Sequence, residues 1–189
     1  GESFHVHLYT PLALLSKARL KRLRDAGLDE IRLHPNLDAE DKWVFIDLAL
    51  GFDWVVGIEI PAITGYERQT KRLIDFVSKK VSFINLNELE LSDTEASHYR
   101  LKDKGFVQKD SISYAVKGSK EMALKMVEYA KEKGLRAHFC TAKLKDSVQV
   151  KQRLLRRAES VALPFDERTE DGTLVRGVIY LKAFVPGAG

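Results

Sequence analysis

Strand-like runs begin near residues 4, 30, 54 and 81, and each is followed by a stretch patterned for about three helical turns. FHVHLYT (4–10) leads into PLALLSKARLKRLRDAG, and EIRLHPN (30–36) into LDAEDKWVFIDLALGF. WVVGIEIPAI (54–63) leads into TGYERQTKRLIDFVSKK, and VSFINLNELEL (81–91) into SDTEASHYRLKDKG. GSKEMALKMVEYAKEKG, a helix, and LRAHFCTA (135–142), a strand, extend the series. Parallel strands need a crossover between them, and a helix supplies it. The repeat is about 25 residues long and has no Gly-rich phosphate-cradling turn, so it resembles barrel-type βα units more than a dinucleotide-binding half. A closed eight-stranded barrel takes about 250 residues; this chain has 189. The expected fold class is α/β: a partial (β/α) barrel of about five parallel βα units over 1–158, including a basic helix, with a β-hairpin extension and tail over 159–189.

Local signals fix the expected boundaries. Asp38 is placed to cap the second helix and Gly51 to end it; Thr64 with Glu67, and Ser92 with Glu95, have capping-box spacing. Gly27, Gly105 and Gly134 stand where a helix C-terminus takes a left-handed residue. Met122, Met126 and Ala130 read as core filler. Residues 106–117 break the rhythm, and Asp171-Gly172 lies between two alternating runs, a hairpin signal.

Strands of a parallel sheet covered on both faces read as continuous Val, Ile and Leu. These alternate instead. One face carries His5, His7 and Tyr9; Glu30, Arg32 and His34; Val55, Gly57 and Glu59; Asn85 and Asn87; His138 and Cys140. The other carries Val6, Leu8, Ile31, Leu33, Ile58, Ile60, Ile84, Leu86 and Phe139, an apolar surface for helices. An unpaired buried polar group costs roughly 1–3 kcal/mol, so the polar face is expected to line a wet cavity or a ligand. Chemistry in (β/α) folds collects at the C-terminal strand ends, which nominates Thr10, His34, Asn36, Glu59, Asn87 and Glu88. His98, on a helix pattern, reads as surface.

Composition bounds the alternatives. Cys140 is the sole cysteine, so neither an intrachain disulfide nor a cluster needing several thiolates can come from this chain. Charged residues make up 31%, with only three asparagines and four glutamines, a leaning toward a thermophile. The sequence has no apolar run of about 18 residues and no basic-plus-apolar leader pattern, so a cytoplasmic location is the expectation.

GLDEIRLHP, VVGIEIP, INLNELEL and HFCTAKLKD, in this order and spacing, resemble the later part of the barrel in radical S-adenosylmethionine (SAM) proteins. Within them the chain is most similar to an archaeal group related to pyruvate formate-lyase activating enzyme, over most of residues 4–158. The resemblance implies SAM and a 4Fe-4S cluster in the complete protein. The family's C-x-x-x-C-x-x-C loop and Gly-Gly-acid strand have no counterpart here, so no cluster is expected on this chain and it is expected to be inactive by itself. By position, the resemblance assigns cofactor contacts to Arg32 and His34, to Gly57, Glu59 and Pro61, and to Asn87 and Glu88. It names no catalytic residue and no metal ligand, and it leaves the substrate unknown.

Three other readings stay open. His5-Val6-His7 places two imidazoles as a barrel-type metal-dependent hydrolase does, with His138 as a further ligand. Lys143, Lys145, Lys151, Arg153, Arg156 and Arg157 against Asp146 give helix 143–157 a basic face for nucleic acid or another partner, although the net charge is only +4; a solvated surface is the simpler account. An unpaired edge at 4–10 invites self-association.

Overall fold

The computed structural model describes residues 4–91, 105–107, 115–144, 148 and 150–179. Five strands follow the chain: β1 (His7–Pro11), β2 (Glu30–His34), β3 (Val55–Ala62), β4 (Phe83–Glu88) and β5 (Ala137–Cys140). They form one all-parallel sheet in the order β1-β2-β3-β4-β5. Between them lie α1 (Lys17–Asp25), a 3-10 turn (Glu40–Phe45) running into α2 (Ile46–Ala49), α3 (Glu67–Val77) and α4 (Ser119–Glu132). A 3-10 turn (Leu12–Leu14) precedes α1, and α5 (Ala142–Leu144), α6 (Lys151–Val161) and the two-residue strands β6 (Glu167–Arg168) and β7 (Leu174–Val175) complete the described elements. This is an α/β fold, in which β1 to β5 form an open sheet and β6 and β7 a separate two-stranded one.

Contacts group the chain into two compact units, Gly1–Ala142 and Lys143–Gly189; the sequence reading drew its line after 158. In the second unit β6 and β7 pair antiparallel around Gly172, whose φ is +86°. Asp166 ties this hairpin to Arg176 (2.6 Å), and the Arg176 guanidinium with the Leu163 N–H holds its carboxyl down at about 2.

The core sits between the sheet and its helices. Ile31, Leu33, Val56, Ile58, Ile60, Ile84 and Leu86, one alternate set along the strands, are buried with Leu20 of α1. Thr70, Leu73, Ile74 and Val77 form the buried stripe of α3, at the spacing of one helical face. Met122, Ala123, Met126 and Ala130 do the same on α4, as core filler should.

Helix ends follow the sequence signals in part. Ser16 caps α1 by accepting from the Arg19 N–H (3.3 Å), and Gly27 (φ +84°) and Gly134 (φ +74°) follow α1 and α4. The other caps differ. Thr64 does not cap α3, which starts after Tyr66; its hydroxyl donates to the Lys117 carbonyl (3.3 Å). Asp38 caps nothing: its N–H donates to Asn36 Oδ1 (2.9 Å), its carboxylate accepts from Tyr66, and the 3-10 turn begins after Ala39. Gly51 does not take a positive φ. Ser92, Glu95 and His98 lie outside the described residues.

Buried Ser119, at the first position of α4, donates to the Ala62 carbonyl and accepts from the Leu89 N–H, both at 2.8 Å. With the Val116 N–H on the Leu89 carbonyl (2.8 Å) and an antiparallel bridge between Glu90 and Ala115, it returns the chain to the end of β4.

One close packing decides a residue identity inside the sheet. A Cβ on Gly57 would lie 2.2 Å from the Phe83 ring, its registered neighbour on β4. Gly57→Ala is expected to cost about 1–3 kcal/mol through overpacking, read as a lower urea midpoint. Most of that loss should return in the Gly57→Ala/Phe83→Leu double variant, and equal losses with and without Phe83 would refute the packing account.

Candidate functional site

All connections run the same way across the sheet, and right-handed crossovers then place the helices on one face. The opposite face carries the polar alternate set, and register shows which members meet. His7 stands beside Glu30; Tyr9 beside Arg32, Gly57 and Phe83; Pro11 beside His34. Glu59 stands beside Asn85 and His138, and Pro61 beside Asn87 and Cys140.

Arg32 organises this face. Its Nε donates to Glu30 Oε1, and its Nη1 donates to the Tyr9 hydroxyl (2.8 Å) and to Glu59 Oε2 (3.4 Å). The guanidinium also lies over the Tyr9 ring (5.1 Å) and the Phe83 ring (5.5 Å). Side-chain exposure is 22% for Arg32, 11% for Glu30 and 13% for Glu59, so these charges satisfy one another where little water reaches them. Two carboxylates against one guanidinium leave the trio with one net negative charge.

Glu59 gathers the next row. Its oxygens accept from Asn87 Nδ2 (3.0 Å) and Asn85 Nδ2 (3.3 Å), leaving both amide oxygens available as acceptors. Burial, which favours the neutral ring, pushes the His34 imidazole below its ordinary range, against an opposing pull from the Glu59 carboxylate. Burial, followed by the charge of Glu59, pushes the Tyr9 phenol up, so it keeps its proton. The rings of His7, Tyr9 and His34 follow one another at centroid distances of 5.2 and 5.8 Å.

The structure thus brings Arg32, His34, Glu59, Pro61 and Asn87 onto one surface. It treats the other two residues assigned with them differently. Phe83 covers the space over Gly57. Glu88 falls on the opposite parity from Asn87, is buried, and accepts from the Ala142 N–H (2.9 Å). Thr10 is likewise buried on the other parity, and Asn36 is occupied in a turn, accepting from the Asp38 N–H through its side chain and from Trp43 Nε1 (2.9 Å) through its carbonyl. Phe83 is the residue sequence reasoning missed: an aromatic at an in-facing position, between Arg32 and Arg136 (5.6 Å), opposite a strand glycine. That glycine was the available signal.

His5, His7 and Glu30 cluster at the other end of the face, with one ligand atom of each within 4.8 Å of the rest. His138 cannot join them. It lies on β5, four strands from β1, about 19 Å at the usual strand spacing. Lys151, Arg153, Arg156 and Arg157 are exposed on α6; residues 145–147 of the basic stretch lie outside the described residues.

The chain is similar to a Methanocaldococcus jannaschii protein that bears the name "putative glycyl-radical enzyme activating enzyme", with 38% identity over 187 residues, 94% of this chain and 49% of the relative. It spans about half the length of that relative. No protein-family model matches the chain, and no solved structure matches it. Among the described residues no helix is long and apolar enough to cross a membrane.

Two measurements test this face. Arg32→Met strands two carboxylates in a poorly hydrated place and should cost about 3–5 kcal/mol, read by urea unfolding at neutral pH; a loss under about 1 kcal/mol would contradict the central role of Arg32. For His34 the folded pKa is depressed, so the unfolded chain binds the proton more readily. Stability should be full above the ordinary histidine range near 6.5 and decline as pH falls below it. His34→Gln should flatten that slope, and an unchanged slope would show that His34 does not cause it.

Proposed function

We propose that this chain forms part of a radical SAM (β/α) barrel belonging to a glycyl-radical enzyme activating enzyme, and that its polar sheet face contacts SAM. The observation that carries the reading is the 38% identity to the M. jannaschii protein over 94% of the chain. The unidirectional strand order and the four sequence stretches that resemble the family support it.

The donor set suits a cationic, polyfunctional small molecule. Glu59 belongs to a trio with one surplus negative charge, matched to a sulfonium, while Asn85 and Asn87 offer amide oxygens. Neutral His34 and protonated Tyr9 add polar edges and ring surface without a further charge. In this reading Arg32, His34, Glu59, Pro61 and Asn87 contact or orient the cofactor. Gly57 acts indirectly by admitting Phe83, and Glu88 by fixing the backbone at Ala142.

The cluster does not fit this chain. A site needing three thiolates cannot be assembled from Cys140 alone. SAM and the cluster supply the radical chemistry of such enzymes; the barrel binds, orients and excludes water. The partner acted on would be a glycyl-radical enzyme.

Calorimetric titration with SAM itself, whose sulfonium the surplus negative charge is matched to, tests the cofactor face. The wild-type chain should show one site. Glu59→Gln and Asn87→Ala should each weaken it about tenfold, near 1.4 kcal/mol. Absence of binding, or binding that both substitutions leave intact, would overturn the assignment.

A further inference from the structure

The cluster lies at the N-terminal strand ends of the same polar face, and Glu30 links it to Arg32. His5 and His7 are two residues apart on extended chain and project to the same side, with ring centroids 6.2 Å apart. Glu30 is the registered neighbour of His7 on β2. Donors bound to one cation at about 2.1 Å lie roughly 3–3.5 Å apart. One atom from each of these residues already lies within 4.8 Å of the others. Closing that gap takes rotation of two exposed imidazoles, while the third donor stays fixed.

Glu30 is the prepared member. It is buried, and Arg32 Nε holds its Oε1. The other oxygen, Oε2, faces His5 Nε2 at 3.3 Å. A carboxylate with one oxygen pinned by an outer donor and the other aimed at imidazoles matches the way proteins orient a metal ligand. Arg32 would repel a cation if it stood alone, but Glu59 offsets it from the far side, and the trio remains net negative.

We propose that His5, His7 and Glu30 bind one divalent first-row transition cation of the zinc class. Two imidazole nitrogens and one carboxylate oxygen suit that class better than magnesium or calcium, which prefer all-oxygen sites. The position argues against a hydrolase. Catalysis in (β/α) folds collects at the C-terminal strand ends, and this cluster lies at the opposite ends, with His138 out of reach. The site acts instead as a clip between the segment entering β1 and the start of β2. Binding the folded form alone, the cation would stabilise the β1 edge by mass action.

The test uses the chain without a polyhistidine tag, titrated calorimetrically with Zn2+ and followed by visible absorbance with Co2+. One equivalent should bind and raise the melting temperature. His5→Ala/His7→Ala, two changes at exposed side chains, should weaken binding at least tenfold and abolish the Co2+ spectrum. His138→Ala and Cys140→Ser should change neither. Glu30→Gln should also weaken binding, but Glu30 anchors Arg32, so the double histidine variant decides. No saturable binding, affinity unchanged in the double variant, or loss through His138 or Cys140 would each overturn the site. SAM binding should persist in the double variant, so failure here is distinguishable from failure of the cofactor reading.

Discussion

The strand order β1-β2-β3-β4-β5 never reverses, and the architecture depends on that constraint. Each crossover turns the same way, so the helices collect on one side, and only one alternate set of strand residues can be covered by them. That set is Ile31, Leu33, Ile58, Ile60, Ile84 and Leu86, all fully buried. The other set must satisfy itself, meet water or meet a ligand. Doubly wound sheets avoid this problem by reversing order and covering both faces. Here the face opposite the helices is satisfied with charge.

The solution is economical in residues. Arg32 engages Glu30, Tyr9 and Glu59 and lies over two rings, so one cation holds together residues from β1, β2, β3 and β4. Glu59 extends the connection to Asn85 and Asn87. An apolar filling would have packed this face as firmly but left nothing to recognise a charged ligand. The same groups that satisfy one another retain a surplus negative charge and amide oxygens that accept nothing among the described residues, so under the proposed function one set of residues meets a fold requirement and binds the cofactor.

Alternation made the two faces legible from sequence, because a period of two follows from the strand backbone itself. The core helices were legible for the same reason at a period of 3.6, and Gly27 and Gly134 marked ends that only local backbone geometry decides. The misreadings share another cause. Thr64 had the spacing of a cap, but Lys117, far away in sequence, took its hydroxyl; Asp38 was claimed by Asn36 and Tyr66. Gly57 was assigned a cofactor contact by position, and the Phe83 ring occupies the space beside it. Glu88 was grouped with Asn87 although one step along a strand reverses the side. Register between strands decides such cases, and no single segment carries it. The metal cluster shows both halves of this: the histidine pair was visible in the sequence, while Glu30 joined it only through the pairing of β1 with β2.

Ser119 has a consequence beyond the packing it performs. By joining Ala62 and Leu89, with Glu90 bridged to Ala115, it brings the two ends of an intervening stretch of chain to one point on the sheet. The entropy of closing a loop grows only slowly with its length. Whatever lies between those ends can therefore be lengthened, shortened or rewritten at small cost to the sheet. The end of β4 is thus a fixed junction, at which the length of the connecting chain can change while the face organised by Arg32 stays the same.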